Sequence, residues 1–217
     1  MFTDLKLVIF DLDGVLTETS RQHFKAWRTL AAKYDIELDD AFEVHLKGIS
    51  RQASLEKILS LSNRHFSETE KEAMQAEKNA HYQQLIADFS PDDCFEGTQA
   101  LLQFLKDKQI YIALASASKN GPKLIQALGI ASYFDLVADP TKHPGKPAPD
   151  LFLAPMHHYG LKPSQCVGVE DAVAGIQAIK DAGMTAIGIG SPDSLPEADA
   201  TYATLADFAQ VITQKLS

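Results

Sequence analysis

Short apolar runs separated by longer amphipathic stretches make up the hydrophobic pattern of this chain. Residues 5–10 (LKLVIF) form the first run, and similar runs cover residues 110–115, 133–138, 166–169 and 185–189. Runs of this length are typical of buried strands, whereas the stretches between them carry apolar residues at helical spacing. Strands that alternate with helices predict a parallel sheet with helices on both faces.

One long block interrupts this alternation directly after the first strand. Its pattern is helical throughout, and Ser67 and Glu70 form a capping box at the start of its third helix. The sequence therefore predicts an α/β protein. A Rossmann-like parallel-sheet core of residues 1–17 and 91–217 carries an inserted α-helical cap of residues 18–90.

The composition narrows the class of protein. The 217 residues are 45% hydrophobic and 23% charged, which is the ordinary balance of a soluble globular chain. The net charge of −9 argues against nucleic-acid partners and against anionic membranes. Cys94 and Cys166 lack metal-ligand spacing, and the N-terminus lacks the pattern of a signal peptide, so we expect a cytoplasmic protein with free thiols.

Two carboxylates follow the first predicted strand. Asp11 and Asp13 stand directly after it, and Gly14 allows a tight turn there. In an open α/β sheet, ligands bind at the carboxyl ends of the strands. Close carboxylates raise each other's pKa, and a divalent cation would relieve the repulsion. Taken alone, the motif is explained equally well by a turn with solvated acids.

The other predicted strand ends decide between these two interpretations. Ser116 follows the second strand, Lys146 lies in the loop after the third, and Glu170 and Asp171 end the fourth. Carboxylates for one hard cation, a hydroxyl and a lysine then meet at one edge of the sheet. This set of groups suits Mg²⁺ together with a substrate phosphate.

In this order, the four motifs resemble those of the haloacid dehalogenase-like phosphotransferases. The resemblance implies that Asp11 is the nucleophile, forming an aspartyl-phosphate, and that Asp13 is the general acid/base. It implies that Ser116 and Lys146 hold the transferring phosphoryl group, and it leads us to expect a cis peptide bond between Lys146 and Pro147. The implied ligands of a Mg²⁺ cofactor are Asp11, Asp13, Glu170 and Asp171.

Longer segments resemble the sugar phosphomutases of this family. They are residues 46–51 (LKGISR), 113–122 (ALASASKNGP) and 168–180 (GVEDAVAGIQAIK). The resemblance implies interconversion of β-D-glucose 1-phosphate and D-glucose 6-phosphate, with β-glucose 1,6-bisphosphate as activator and intermediate. The implied substrate-binding residues are Thr19, His23, Trp27, Gly48, Arg51, Lys78, Ser116, Ala117, Asn120 and Lys146.

Plainer interpretations of the cap residues stay open at this point. Trp27 lies on an apolar helical stripe and could serve packing alone, Lys78 lies in a charged helix typical of a protein surface, and Arg51 follows a predicted N-cap. A phosphatase acting on a small phosphorylated metabolite is the alternative function, since core motifs cannot distinguish it from a mutase. A catalytically idle binding protein is a third alternative. The expected partners are small sugar phosphates, and we expect a monomer.

Overall fold

The computed structural model describes residues 2–217. Within this range the strands are β1 (Leu7–Phe10), β2 (Tyr111–Leu114), β3 (Leu136–Val137), β4 (Cys166–Glu170), β5 (Thr185–Ile189) and β6 (Ala200–Tyr202). The α-helices are α1 (Ser20–Ala32), α2 (Arg51–Leu59), α3 (Glu68–Leu85), α4 (Thr98–Asp107), α5 (Gly121–Ala127), α6 (Asp150–His158), α7 (Val173–Asp181) and α8 (Leu205–Leu216).

The six strands form one sheet in the order β3-β2-β1-β4-β5-β6. Every pairing is parallel, and β1 lies between β2 and β4. Phe10 at the end of β1 is opposite Leu114 of β2 and Val169 of β4, so three carboxyl ends lie side by side. The parallel sheet predicted from the sequence is confirmed, and its central edge collects the residues that follow these strands.

Both faces of the sheet are covered. Side chains of β1 alternate between two apolar clusters, with Val8 and Phe10 in one and Leu7 and Ile9 in the other. All four are fully buried. This explains why the run is apolar at every position rather than at alternate ones, because a strand with helices on both sides has no solvated face.

A third apolar cluster belongs to the helices inserted after β1. It joins Phe24 and Trp27 of α1 to Leu55 and Ile58 of α2 and to Met74 of α3. The predicted capping box is present at the start of α3. A separate core of this kind is what an inserted helical cap requires, and its boundaries at residues 18 and 90 stay a prediction.

The edges of the sheet differ most from the predicted pattern. The strand predicted over residues 133–138 is reduced to Leu136–Val137, and Ala131–Tyr133 forms a 3₁₀ turn instead. The strand β6 at the opposite edge was not predicted at all. Across residues 2–217, no helix combines the length and the apolar character needed to cross a membrane.

Candidate active site

Lys146 contacts the carboxyl ends of two neighbouring strands, β1 and β4. Its Nζ lies 2.6 Å from Asp11 Oδ1 and 2.5 Å from Glu170 Oε1, and all three side chains are buried. Burial alone would lower the pKa of Lys146, but the two carboxylates outweigh that effect and raise it. The predicted cis peptide bond between Lys146 and Pro147 is present. The lysine is therefore a fixed positive charge beside Asp11.

Three carboxylates converge at the same place. Asp11, Glu170 and Asp171 each offer an oxygen, and these oxygens lie within 4.8 Å of one another. Burial, reinforced by the charge of Asp11, raises the pKa of Glu170 to about 8 and that of Asp171 to about 6. Crowded, poorly solvated carboxylate oxygens are the ligands that a hard cation such as Mg²⁺ prefers. The three residues therefore fit the predicted Mg²⁺ cofactor.

Asp13 lies next to this group but outside it. Its Oδ1 accepts a hydrogen bond from the hydroxyl of Thr19, which is itself fully buried. Removal from solvent raises the pKa of Asp13 well above its usual value, and the charges of Asp11 and Asp171 add to the effect. The raised pKa favours the protonated form of this carboxyl. The predicted role of Asp13 as a metal ligand stays a prediction.

Two glycines leave room for carboxylates of this cluster. Gly14 has φ of +84°, and a Cβ built there would collide with the carboxylate of Asp171. A Cβ at Gly175 would collide with the carboxylate of Glu170. Gly14 is therefore required both by its backbone conformation and by the close approach of Asp171.

A cavity of about 420 Å³ opens between this cluster and the cap. Asp11, Asp13 and Asp171 line it from the sheet, and several of the residues predicted to bind substrate line it as well. These are His23, Trp27, Gly48, Arg51, Lys78 and Ala117. The other predicted residues, Thr19, Ser116, Asn120 and Lys146, are buried behind the lining. The Oγ of Ser116 accepts a hydrogen bond from the N–H of Ser118 at 3.1 Å.

The loop before α2 lies close against the sheet edge. A Cβ built at Gly48 would lie 2.8 Å from the Cβ of Ala172, and one built at Gly145 would lie 3.2 Å from the Cβ of Ser50. Lys47 reaches the carboxylate of Asp171 at 3.5 Å. Small residues on both sides therefore let the cap approach the carboxylate cluster.

Lys78 is buried in the wall of the cavity rather than exposed. Its Nζ lies 2.6 Å from His23 Nδ1 and stands over the rings of Trp27 and Tyr82, at 4.8 Å and 4.9 Å from their centroids. Burial and the nearby charge of Arg51 lower the pKa of Lys78 to about 7. Burial, followed by the charge of Lys78, also lowers the pKa of His23. The proximity of Arg51 and Lys78 in this wall favours an anionic ligand beside them.

Sequence reasoning missed two residues of this region. Tyr82 is fully buried and stacks on His23, with ring centroids 3.8 Å apart. Asn79 accepts a hydrogen bond from Arg51 Nη2 at 2.7 Å. Tyr82 follows Lys78 by four residues on α3, so this spacing could have identified it, whereas Asn79 is adjacent to Lys78 and carries no such signal.

Comparison with known proteins identifies relatives of this chain. The chain is 42% identical over 207 residues to the β-phosphoglucomutase of Bacillus subtilis (strain 168), covering 94% of this chain and 92% of the relative. It is 31% identical to the fructose-1-phosphate phosphatase YqaB of Escherichia coli (strain K12), covering 84% of this chain and 95% of that protein.

A solved structure agrees over nearly the whole length. The crystal structure of a β-phosphoglucomutase from Clostridium difficile superposes with a TM-score of 0.93 at 40% identity, covering 98% of this chain and 96% of that one. Residues 5–183 match the haloacid dehalogenase-like hydrolase family. With its strand-end carboxylates, lysine and serine arranged as described above, the chain belongs to the haloacid dehalogenase-like hydrolases.

Proposed function

We propose that this protein is a Mg²⁺-dependent β-phosphoglucomutase, which interconverts β-D-glucose 1-phosphate and D-glucose 6-phosphate. One observation carries the proposal. A single cavity is lined by the candidate nucleophile Asp11 from the sheet and by the cationic side chain of Arg51 from the cap. Such a cavity suits a substrate with two phosphates, one reacting and one held at a distance. The likeness to two β-phosphoglucomutases supports it.

The reaction divides into two transfers through Asp11. The phosphoryl group of the aspartyl-phosphate passes to the C6 hydroxyl of β-glucose 1-phosphate, which gives β-glucose 1,6-bisphosphate and frees the Asp11 carboxylate. The bisphosphate then reverses its orientation. An oxygen of Asp11 attacks the phosphorus at C1, the bond from that phosphorus to the sugar oxygen breaks, and glucose 6-phosphate leaves. The bisphosphate is therefore both intermediate and activator.

Proton movement falls to Asp13. It accepts the proton of the attacking C6 hydroxyl in the first transfer and returns it to the C1 oxygen in the second. The raised pKa of Asp13 favours the protonated form that the second transfer needs, and Thr19 fixes the direction of the carboxylate through its hydrogen bond.

The phosphoryl group in transit is held by fixed charge. Lys146, already paired with Asp11, opposes the negative charge on the phosphoryl oxygens. Ser116 would supply a hydroxyl donor to the same group. Mg²⁺, held by Asp11, Glu170 and Asp171, supplies further neutralisation of that charge when bound. Preorganised charge is the main requirement of phosphoryl transfer, since little covalent chemistry is left to the protein.

The cap supplies what separates a mutase from a hydrolase. Arg51 would bind the distal phosphate, which is the phosphate that is not being transferred, through two hydrogen bonds at once. The loop that contains Gly48 would shield the aspartyl-phosphate from water. A phosphatase acting on a small phosphorylated metabolite is the second candidate, favoured by the likeness to a fructose-1-phosphate phosphatase. It would use the same Asp11 but needs no distal grip.

A coupled assay tests the proposal. The protein receives β-glucose 1-phosphate, Mg²⁺ and a trace of β-glucose 1,6-bisphosphate, and glucose 6-phosphate and free phosphate are followed together. We expect glucose 6-phosphate in large excess, with turnover lost when a chelator removes Mg²⁺. Free phosphate as the main product would identify a phosphatase instead, and no product of either kind would refute the mutase activity.

Replacing Asp13 by Ala is expected to slow both transfers by about 10²–10⁴-fold, the usual loss when a general acid/base is removed. The measurement is steady-state mutase turnover. The matched control is Asp193→Ala, which removes an exposed carboxylate. Turnover of Asp13→Ala equal to that of the control would contradict the assigned role.

The partners, the cellular compartment and the oligomeric state of the protein are also part of this proposal. Sugar phosphates are its partners, and the net charge of −9 opposes binding to nucleic acid or to anionic membranes. Cys94 and Cys166 are free thiols, which are typical of a reducing cytoplasm. Action as a monomer stays a prediction.

A further inference from the structure

We propose that Asn79 is a positioning residue for the distal phosphate, holding Arg51 and Asn120 through one neutral carbonyl oxygen. Arg51 Nη2 donates to Asn79 Oδ1 at 2.7 Å, and Asn120 Nδ2 donates to the same oxygen at 2.9 Å. Asn120 Oδ1 in turn accepts from Gln83 Nε2 at 3.0 Å. The inference rests on the proposed function, because Arg51 is the residue to which that function assigns the distal phosphate.

Arg51 determines the donor and the acceptor in each of these three hydrogen bonds. A guanidinium can only donate, so Asn79 must present its oxygen to it. That oxygen then requires the NH₂ group of Asn120 as its second donor, which leaves the oxygen of Asn120 for Gln83. The orientation of a buried core residue is thus determined from the cap, through Asn79.

The network joins elements that are distant in the sequence. Arg51 begins α2, Asn79 and Gln83 lie on α3, and Asn120 directly precedes α5. Asn120 is buried and lines a second cavity of about 250 Å³ beside Gln83, rather than the main cavity that Arg51 lines. Asn120 therefore acts through its neighbours in this structure, and Asn79 is the residue that connects it to Arg51.

The neutrality of Asn79 matters for an anionic ligand. A carboxamide oxygen orients the guanidinium without cancelling its charge, so the charge stays available to a phosphate. A carboxylate at the same position would form an ion pair with Arg51 and would also repel the phosphate. The burial of Arg51 strengthens both effects, since screening by water is weaker there.

Asn79→Ala and Asn79→Asp together test this role. Each is combined with Asp11→Asn so that bisphosphate does not react, and its dissociation constant is measured through the fluorescence of Trp27, the single tryptophan, which lines the cavity. KM and kcat are measured with each change alone. We expect Asn79→Ala to raise the dissociation constant and KM about tenfold, as loss of a hydrogen bond to a charged group does, and Asn79→Asp to raise both further.

A purely structural role predicts a different order. Asn79→Asp keeps the acceptor oxygen, so it would then restore wild-type binding, and that result would overturn the proposal. Unchanged binding in both variants, or a loss confined to kcat, would overturn it too. Asn63→Ala and Asn63→Asp make the same changes at an exposed cap residue. Thermal melting of every variant identifies any that fail to fold.

Failure of the proposed function has its own signature. Wild-type protein that yields no glucose 6-phosphate refutes the mutase activity, whereas the dissociation constants still decide the role of Asn79. The role of Asn79 alone is refuted if the wild-type protein shows mutase turnover and Arg51→Ala weakens binding of the bisphosphate, but neither Asn79 variant does.

Discussion

Asp11→Asn is expected to abolish mutase turnover, with a loss of at least about 10⁴-fold, because Asp11 is the proposed acceptor of the phosphoryl group. An amide oxygen is a far weaker nucleophile than a carboxylate, and the shapes of the two side chains are the same. The measurement is conversion of β-glucose 1-phosphate, together with phosphorus NMR of the protein after incubation with a phosphoryl donor. We expect an aspartyl-phosphate signal from the wild-type protein and none from the variant.

The fold is expected to survive this change. Lys146 loses one carboxylate partner but keeps Glu170 at 2.5 Å. At the same time the negative charge that helps to raise the pKa of Asp13, Glu170 and Asp171 is removed. Relief of like-charge repulsion therefore offsets the lost ion pair in the metal-free protein. Thermal melting without Mg²⁺ should give a midpoint close to that of the wild type.

Asp88→Asn is the matched control, because it makes the same change at an exposed residue near the end of the cap. It should leave turnover and melting unaltered. Near-wild-type turnover in Asp11→Asn would refute Asp11 as the nucleophile. Loss of turnover with retention of the phosphorus signal would move the covalent intermediate to another residue.

The sheet could be predicted well because its signals are local. The apolar run that predicts β1 and the capping box that predicts the start of α3 each depend on only a few consecutive residues, and the structure contains both. The edge strands carry weaker signals. Leu136–Val137 pairs with β2 alone and Ala200–Tyr202 with β5 alone, so neither needs a continuous apolar run. Their existence depends on the neighbouring strand rather than on their own sequence.

The strand-end half of the site was equally accessible to sequence reasoning. Parallel strands bring their carboxyl ends to one edge, so the sequence alone predicts that Asp11, Glu170 and Asp171 lie together, as they do in the structure. Tertiary packing decides the rest. In isolation α3 has the composition of a surface helix, yet packing against α1 leaves Lys78 only 2% exposed. No periodicity within α3 indicates that Asn79 faces Arg51.

Replacing Arg51 by Ala is expected to convert a mutase into a poor phosphatase. Arg51 begins α2, lines the cavity with Asp11 and Asp13, and is half-buried. Its planar fork can hold a phosphate by two charge-assisted hydrogen bonds at once. Loss of such a grip should lower kcat/KM for β-glucose 1-phosphate by about 10²–10³-fold, the equivalent of two hydrogen bonds to a charged group.

The reaction products should change along with the rate. In the proposed reaction, binding energy from the distal phosphate keeps the cap over Asp11 and orients the reacting hydroxyl. Without that energy, water reaches the aspartyl-phosphate more often than the sugar hydroxyl does. We therefore expect the ratio of free phosphate to glucose 6-phosphate to rise, while formation of the aspartyl-phosphate from a donor without a second phosphate is spared.

Arg51→Lys and Arg21→Ala complete the series. Lysine keeps the charge but not the two-point geometry, so its kcat/KM should fall between those of the wild type and Arg51→Ala. Arg21 is exposed, and its loss should change neither rate nor product ratio. A simple phosphatase acting on a monophosphate has no distal group to hold. Unaltered mutase turnover in Arg51→Ala would therefore exclude a distal-phosphate site at this position, and with it the assignment of the cap as the element that makes this protein a mutase.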